Sequence, residues 1–373
     1  MEYKYFSADC HWDPLWLPKD LWQERLPAHL REIGPNVVET DAGTKWTWEG
    51  ELKFNAADGR DNAKYRQLLI DRGVPAPEGS LPPTDPTLLL AFMDQNKICA
   101  TVFFSKPANW VIRDRGLHLA MYRAYNDWVL EVNAVAPERL IGLPTLPTTY
   151  PEECAAEVER LARKGVQTVE FGHLHAGAPV YDPCWEPVWQ ALEDADMLFC
   201  CHAGPRAGFT VPPADRNLNV AYFGAQPMEA ATPLGQLVMS AVFERHPRLR
   251  LFWAESRVGW VPFFMHWLDK QVHHRAMDLT MKLSMAPSDY LKRNVVMTFE
   301  DDVVAIHMLA DAWEEISGMT IWGSDYPHPQ GLWGTGFEEN MEALFARVPA
   351  DIRRQVLLER AAELFRVRIP TAA

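Results

Sequence analysis

Residues 198–204 read LFCCHAG, an apolar run of strand length that ends in a histidine and breaks at a glycine. A short run of this kind is typical of a strand buried on both faces of a parallel sheet. Similar runs recur along the chain and alternate with longer amphipathic segments, which is the pattern of βα units. The eight predicted strands cover residues 4–11, 98–105, 140–146, 168–172, 197–202, 249–255, 295–299 and 320–325.

The segments between these strands carry apolar residues three or four positions apart, which is the spacing of an amphipathic helix. The predicted helices cover residues 117–133, 151–164, 185–195, 233–245, 258–276 and 303–313. Eight strands with intervening helices predict an α/β fold, a (β/α)₈ TIM barrel that forms a single domain over residues 1–373. An open doubly wound sheet is the alternative, but residues 7–11 lack the glycine-rich turn that such a fold normally carries after its first strand.

The connection between the first two predicted strands is far longer than a normal loop. It holds the sequence WTWEG at 46–50 and a proline-rich segment at 75–86. We interpret residues 23–96 as an insertion that forms a lid over the barrel mouth. Trp46 and Trp48 favour an ordered insertion.

Composition excludes several classes of protein. The 373 residues are 48% hydrophobic and 23% charged, which is sufficient for a sizeable core. Lys and Arg number 36 against 50 Asp and Glu, for a net charge of −14 and without a basic run, so we expect no nucleic acid partner. No segment approaches the roughly 18 apolar residues of a membrane span, and the first residues lack a signal peptide, so we expect a cytoplasmic protein with no membrane partner. The six cysteines have no C-x-x-C spacing, which speaks against disulfides and a cysteine zinc site.

Acidic residues and histidines stand at the ends of predicted strands. Asp9 and His11 end the first strand two residues apart, and side chains two apart on a strand point to the same face. His202 ends the fifth strand and Asp325 ends the eighth. Because the carboxyl ends of barrel strands meet at the catalytic face, we expect these four side chains to converge. Two carboxylates and two imidazoles suit a divalent metal, Zn²⁺, Mn²⁺ or Fe²⁺.

Several motifs resemble the amidohydrolase-related metal-dependent hydrolases and decarboxylases. This is the branch of the amidohydrolase superfamily that includes aminocarboxymuconate semialdehyde decarboxylase. The motifs are DCH at 9–11, CHAG at 201–204, AESRVGWVP at 254–262, GSDYPH at 323–328 and the helix ERAAELF at 359–365. The resemblance extends over nearly the whole chain, and AESRVGWVP and GSDYPH are its most specific parts.

The resemblance also implies roles for single residues. The implied metal ligands are Asp9, His11, His202 and Asp325. Asp325 is implied to move a proton as well, and His328 belongs to the same motif and is a further catalytic candidate. Glu255 ends the sixth strand, where the better-known decarboxylases carry a histidine, and it is a candidate catalytic residue and ligand. An ion pair with Arg257 or a helix cap is the alternative role for Glu255.

A second metal ion is an alternative to a single ion. Glu170 ends the fourth predicted strand, and dinuclear members of the superfamily use a fourth-strand group to bridge two metals. With Glu170 as the bridge, Asp9, His11 and Asp325 would hold one ion while His202 and Glu255 hold the other. One ion is the main expectation. The alternative role for Glu170 is a solvated strand end.

The predicted function is that of a metal-dependent hydrolase or non-oxidative decarboxylase of a small cyclic or aromatic carboxylate-type substrate. A dinuclear iron or manganese oxygenase on the same barrel is one alternative. A catalytically silent structural subunit of a hetero-oligomer is an alternative of another class, and it predicts broken ligands. A metal-free pair of carboxylates, as in glycosidases, would not need His11 and His202. We further expect a homodimer or higher oligomer.

The predicted helix 258–276 has an apolar and a polar part. We interpret Phe263, Phe264 and Trp267 as packing against the barrel. His273 and His274 lie beside Lys270 and are interpreted as a solvated face.

Overall fold

The computed structural model describes residues 2–41, 43–56, 60–105, 110–204, 216–311 and 314–370. The chain forms two compact units. Unit 1 comprises Met1–Pro147, Ser324–Ala343 and Leu357–Ala373, and unit 2 comprises Thr148–Gly323 and Leu344–Val356. The prediction of a single domain stays a prediction.

Unit 1 holds two three-stranded sheets. The first is parallel with the order β1-β5-β6, and its strands are β1 (Tyr5–Trp12), β5 (Ile98–Ser105) and β6 (Leu140–Gly142). The second is antiparallel with the order β2-β3-β4, and its strands are β2 (Asn36–Thr40), β3 (Gly43–Trp48) and β4 (Glu51–Asn55). The antiparallel sheet lies within the insertion and was not predicted.

Unit 2 holds one five-stranded parallel sheet with the order β11-β10-β9-β8-β7. Its strands are β7 (Thr168–Glu170), β8 (Leu198–His202), β9 (Leu251–Ala254), β10 (Val295–Phe299) and β11 (Thr320–Trp322). All five residues of β8 are buried, as its apolar sequence predicts. The eight predicted strands are thus all present and parallel, although the last ends three residues before Asp325.

Helices connect these strands and follow the predicted amphipathic segments. They are α1 (Leu21–Arg25), α2 (Arg60–Asp71), α3 (Pro86–Gln95), α4 (Arg115–Asn133), α5 (Pro151–Arg163), α6 (Glu186–Asp194), α7 (Arg216–Ala225), α8 (Ala231–Met239), α9 (Val242–Arg245), α10 (Val261–His274), α11 (Pro287–Asn294), α12 (Val303–Ala310), α13 (Glu314–Ser317), α14 (Phe337–Leu344), α15 (Ala350–Arg354) and α16 (Arg360–Leu364). The single helix predicted over 233–245 is wrong, because Ala241 adopts a left-handed backbone (φ 58°) and divides it into α8 and α9. Across the described ranges, no helix is long and apolar enough to cross a membrane.

The insertion is ordered by aromatic side chains. In β3, Trp46 and Trp48 point to the buried side in the alternation expected of a strand. The ring of Trp46 lies 5.2 Å from that of Trp22, and the ring of Trp48 stacks on Trp110 at 4.6 Å. The indole of Trp46 also donates a hydrogen bond to the carbonyl of Pro14 (2.8 Å). The expectation of order is confirmed at both tryptophans, whereas the role of residues 23–96 as a lid stays a prediction.

The outer face of α10 corrects one expectation. Phe263 and Trp267 are 71% and 46% exposed, so their predicted packing against the barrel is wrong. They lie four residues apart on one helix face and stack on each other with ring centroids 6.2 Å apart. The buried face of α10 is instead formed by Val261, Pro262 and Met265.

A buried histidine in α4 predicts a pH dependence of stability. Burial lowers the pKa of His118 from 6.5 to about 4, and its ring stacks on Tyr122 at 4.3 Å. Between pH 6.5 and about pH 4, His118 therefore binds a proton in the unfolded chain but not in the folded chain. This contribution to stability is complete above pH 6.5 and is lost as the pH falls towards 4, by on the order of 3 kcal/mol.

We expect His118→Phe, which keeps a stacking ring, to lose less stability than the wild type between pH 7.5 and 4.5. Urea unfolding at the two pH values measures this difference. The exposed His274→Phe serves as the control, and equal pH dependence of the wild type and His118→Phe would contradict the prediction.

Candidate metal centre

A bulge in β1 sets the direction of its polar side chains. Ser7 pairs with Thr101 and Cys10 with Phe103, so β1 uses one more residue than β5 over this step. The extra residue brings Ser7 and Cys10 to one face, where their side chains lie 3.4 Å apart. Asp9 and His11 consequently point to the opposite face, and both are fully buried. The structure thus places these two side chains together, with His11 Nε2 3.5 Å from Asp9 Oδ1, whereas their roles as metal ligands stay predictions.

The segment after β11 joins the end of β1. The hydroxyl of Ser7 donates to Ser324 Oγ (2.9 Å), and the Asp325 amide donates to the Asp9 carbonyl (2.8 Å). The His11 amide donates to the carbonyl of Tyr326 (2.8 Å), which continues the parallel pattern beyond the strand. Backbone hydrogen bonds therefore hold Asp325 beside Asp9 and His11.

Asp325 lies between two imidazole rings. Its Oδ1 atom is 2.9 Å from His11 Nε2 and 2.7 Å from His328 Nδ1. The two rings stack with centroids 4.0 Å apart, and His11 Nε2 is also 3.5 Å from Asp9 Oδ1. Asp325 is 1% exposed, and its backbone is left-handed (φ 57°). Such a backbone is uncommon in residues other than glycine, and residues that adopt it are often found at functional sites.

The charges of this cluster determine where its proton resides. Burial alone would raise the pKa of Asp325, but the charges and hydrogen bonds of His328 and His11 outweigh it and hold that pKa well below 3.8. Burial alone would lower the pKa of His328, but Asp13 and Asp325 together raise it to about 10. At neutral pH the proton therefore sits on His328, and Asp325 is ionised.

The loop that carries His328 is anchored by Arg72 of the insertion. The Arg72 guanidinium donates to the carbonyls of Gly331 (3.1 Å) and Pro329 (2.5 Å) and lies 4.3 Å from the centre of the Trp333 ring. A Cβ atom at Gly331 would lie 2.4 Å from the Ser324 carbonyl oxygen, so only glycine permits this close approach. These contacts hold the loop of residues 328–333 close to Ser324.

In unit 2, three predicted site residues end consecutive strands. Glu170 is 3% and His202 8% exposed, so the alternative of a solvated strand end for Glu170 is wrong. His202 Nε2 lies 3.3 Å from Glu255 Oε2, and the other ring nitrogen contacts the carbonyl of Ala203. Glu255 follows β9 in a left-handed conformation (φ 53°), and its amide donates to Thr298 Oγ1 (2.8 Å).

An ion pair at the next strand end was not predicted. Glu300 follows β10, is 1% exposed and pairs with Arg257, which also lies 3.6 Å from Asp301. The alternative ion pair of Glu255 with Arg257 is therefore wrong, because Arg257 turns to Glu300. The signal that could have found Glu300 is its place directly after an apolar strand, the same signal that identified Glu170 and His202.

A cavity of about 520 Å³ lies beside the loop after β7. Among the described residues it is lined by His173, Tyr181, Glu229 and Gln236 together with small apolar side chains. The ring of His173 packs on Trp253 with centroids 4.7 Å apart, and burial lowers its pKa to about 3. His173 is thus a neutral imidazole at neutral pH.

The residues of unit 1 fit a divalent metal ion. Asp325 Oδ2 is buried and accepts no hydrogen bond from the described residues. Ligand atoms of His11, Asp325 and His328 lie within 4.8 Å of one another, and carboxylate and imidazole are ligands that zinc and manganese accept. Among the described residues, Glu170 and Glu255 belong to no such group of three, and their roles as ligands stay predictions.

Comparison with known proteins agrees with this architecture. The amidohydrolase family profile matches residues 81–367, more than half of the chain. The 2-amino-3-carboxymuconate-6-semialdehyde decarboxylase of Dictyostelium discoideum is 23% identical over 251 residues, 66% of this chain and 68% of that protein. The gamma-resorcylate decarboxylase of Rhizobium sp. is 27% identical over 197 residues, which are 48% of this chain and 58% of that protein.

Solved structures show the same fold. An amidohydrolase from Mycobacterium avium subsp. paratuberculosis aligns over 100% of both chains with a TM-score of 0.73 and 18% identity. The 5-carboxyvanillate decarboxylase of Sphingomonas paucimobilis aligns over 98% of this chain and 100% of its own, with a TM-score of 0.68 and 21% identity. A 5-carboxyvanillate decarboxylase of Novosphingobium aromaticivorans with bound manganese aligns over 82% of this chain and 94% of its own, with a TM-score of 0.64 and 18% identity.

The predicted (β/α)₈ fold class is confirmed by the solved structures together with the eight parallel strands. The predicted class of metal-dependent enzyme is confirmed by the family profile and the curated relatives. The match over residues 81–367 includes His202, Glu255 and the GSDYPH motif. The chain belongs to the amidohydrolase family.

Proposed function

We propose that this protein is a cytoplasmic, metal-dependent enzyme that removes CO₂ from a small aromatic carboxylate without oxidation. The observation that carries the proposal is that the two curated relatives named above and several of the solved structures with this fold are decarboxylases. The hydrogen bond between His328 Nδ1 and Asp325 Oδ1 (2.7 Å) supports it, because decarboxylation needs a proton delivered to carbon and this bond lets His328 supply that proton through Asp325. Hydrolysis is the alternative reaction at the same residues.

The proposed metal ligands are Asp9, His11, His202 and Asp325. Asp9, His11 and Asp325 are included on their burial and mutual distances, and His202 on the CHAG motif. When bound, the ion supplies a Lewis acid that neutralises the negative oxygens of the substrate. We propose one ion, and Zn²⁺, Mn²⁺ or Fe²⁺ all suit these ligands.

The protein side chains supply the proton. His328 carries a proton at neutral pH and hydrogen-bonds to Asp325 (2.7 Å), so the proton can pass to Asp325 and from there to the ring carbon that bears the carboxylate. The bond between this carbon and the carboxylate then breaks, its electron pair restores the aromatic ring, and CO₂ leaves. Burial of Asp9, His11 and Asp325 keeps water from competing for the reacting carbon.

A substrate panel tests the reaction. Purified protein loaded with Mn²⁺ or Zn²⁺ is incubated with hydroxybenzoates and hydroxy-methoxybenzoates, and CO₂ and the decarboxylated product are both quantified. We expect equal amounts of CO₂ and product, and loss of both after chelation of the metal. Hydrolysis of lactones or cyclic amides without CO₂ release from any aromatic acid would overturn the proposal.

Metal content tests the number of ions. We expect about one equivalent in protein purified without chelators, and the same content in Glu170→Ala, because one ion does not need the proposed bridge. Elemental analysis by mass spectrometry measures the content, and Glu159→Ala, an exposed glutamate on α5, is the matched control. Two equivalents including iron, with one lost in Glu170→Ala, would support the dinuclear oxygenase instead.

We also propose that the protein is a homodimer or higher oligomer. The exposed Phe263 and Trp267 on α10 support this proposal, since large apolar side chains that share one exposed face are typical of contact surfaces. Light scattering should give at least twice the mass of the chain, and Trp267→Lys should lower that mass. A monomer at all concentrations would contradict the proposal.

A further inference from the structure

Asp13 stands where its carboxylate would be expected to cap a helix. It directly precedes the 3₁₀ helix Pro14–Trp16 with an extended backbone, yet its side chain makes no capping hydrogen bond. Its Oδ2 atom instead lies 3.1 Å from His328 Nε2. The carboxylate, 80% of which is shielded from solvent, is thus directed towards the candidate centre, although it belongs to none of the candidate ligand groups of the described residues.

The backbone around Asp13 is held from two sides. The Trp16 amide donates to the Asp13 carbonyl (2.9 Å), and the Trp46 indole of the insertion donates to the carbonyl of Pro14 (2.8 Å). These two bonds hold the backbone of Asp13 in a position that does not depend on His328. A carboxylate on a fixed backbone can orient a neighbouring ring.

The orientation of the His328 ring matters because its two edges differ. In the observed orientation Nδ1 faces Asp325 (2.7 Å) and Nε2 faces Asp13 (3.1 Å). A half-turn of the ring about its Cβ–Cγ bond would put carbon atoms at both places, and both hydrogen bonds would be lost. Stacking on His11 at 4.0 Å restrains the plane of the ring but does not distinguish the two orientations.

We propose that Asp13 is a positioning residue that selects this orientation of His328, so that Nδ1 always faces the carboxylate of Asp325. The consequence for catalysis rests on the proposed decarboxylation, because only the selected orientation places a ring nitrogen, rather than a carbon, against the carboxylate of Asp325. Asp13 contacts neither the substrate nor the metal in this scheme.

The first test observes the ring itself in metal-free protein. The ¹⁵N-labelled imidazole signals of His328, assigned with His328→Gln, should show one hydrogen-bonded set in the wild type and an averaged or second set in Asp13→Ala. Asp13→Asn should resemble the wild type more closely, since its amide oxygen still accepts a hydrogen bond from Nε2. Asp20→Ala is the matched control, because Asp20 also precedes a helix, is exposed and makes no capping bond.

The second test measures catalysis in the metal-loaded enzyme. Asp13→Ala should lower kcat by about 10- to 100-fold, while KM and bound metal change by less than about twofold, as expected when an outer partner of a site is removed. Asp13→Asn should recover part of kcat. If Asp13→Ala does not fold, Asp13→Asn is compared with Asp13→Leu, whose side chain cannot accept a hydrogen bond.

The outcomes separate the two proposals. Unchanged His328 signals in Asp13→Ala, or unchanged kcat despite altered signals, would overturn the positioning role. Altered signals in a protein that decarboxylates nothing would support the orientation by Asp13 while the proposed function fails. Loss of metal in parallel with kcat would make Asp13 a ligand or a structural residue and would also overturn the proposal.

Discussion

Asp325→Asn is expected to lower the rate of decarboxylation by about 10²- to 10⁴-fold, the range for loss of a general acid or base. An amide neither passes a proton to carbon nor supplies a negative ligand. The variant also loses the charge that lies 2.9 Å from His11 and 2.7 Å from His328, so bound metal should fall as well. Steady-state kinetics and elemental analysis of the same preparation measure both effects.

Asparagine is the appropriate substitution because Asp325 has a left-handed backbone (φ 57°). Asparagine tolerates this conformation far better than alanine does, so the fold should be retained. Asp20→Asn, on the exposed surface, is the matched control. Full activity in Asp325→Asn would remove Asp325 from the chemistry. Loss of activity together with a large fall in Tm would assign it a structural role.

Arg257→Ala is expected to destabilise the protein by about 3–5 kcal/mol, the range for removing one partner of a buried ion pair. The Glu300 side chain is 2% exposed, and its pairing with Arg257 is the main compensation for its burial. Without the guanidinium, Glu300 must remain charged in a dry environment or take up a proton. Urea unfolding at pH 7 measures the free energy of unfolding.

The backbone of Arg257 allows a sharper comparison. Its φ of 53° is strained for any residue with a side chain, so Arg257→Gly should be about 1 kcal/mol more stable than Arg257→Ala. The double variant Arg257→Ala/Glu300→Gln should recover stability relative to Arg257→Ala, because no buried charge remains. Equal stabilities of Arg257→Ala and the double variant would contradict this prediction, because they would show that an unpaired Glu300 is no more costly than a neutral amide.

Much of the architecture follows from local pattern. Apolar runs of strand length predicted all eight parallel strands, because a strand that is buried on both faces needs apolar side chains at nearly every position. The same reasoning placed Glu170 and His202 at strand ends, where they are buried. Asp325 is different, because the hydrogen bonds that hold it come from β1, more than 300 residues away. Its place at the end of the last predicted strand marked Asp325 as a candidate, whereas His328 was identified only from the resemblance of GSDYPH to a family motif.

The features that were missed depend on contacts distant in sequence. The pairing of Arg257 with Glu300 rather than Glu255 depends on a left-handed turn at Arg257, which an arginine does not suggest. Helix α10 has apolar residues on two faces, so periodicity alone could not show that Phe263 and Trp267 point outwards. The sheet β2-β3-β4 has short strands whose residues are mostly half-exposed, and therefore a weak pattern.

The Ser7–Ser324 hydrogen bond also has a consequence for biosynthesis. Its partners are 317 residues apart, and both belong to unit 1. At about 5–20 residues per second, a ribosome needs about 15–60 s to synthesise the interval between them. During this time β1 has been made, but the segment that holds Asp325 and His328 beside it does not yet exist. Assembly of the Asp9, His11, Asp325 and His328 cluster is therefore expected to be a late event in the synthesis of residues 1–328.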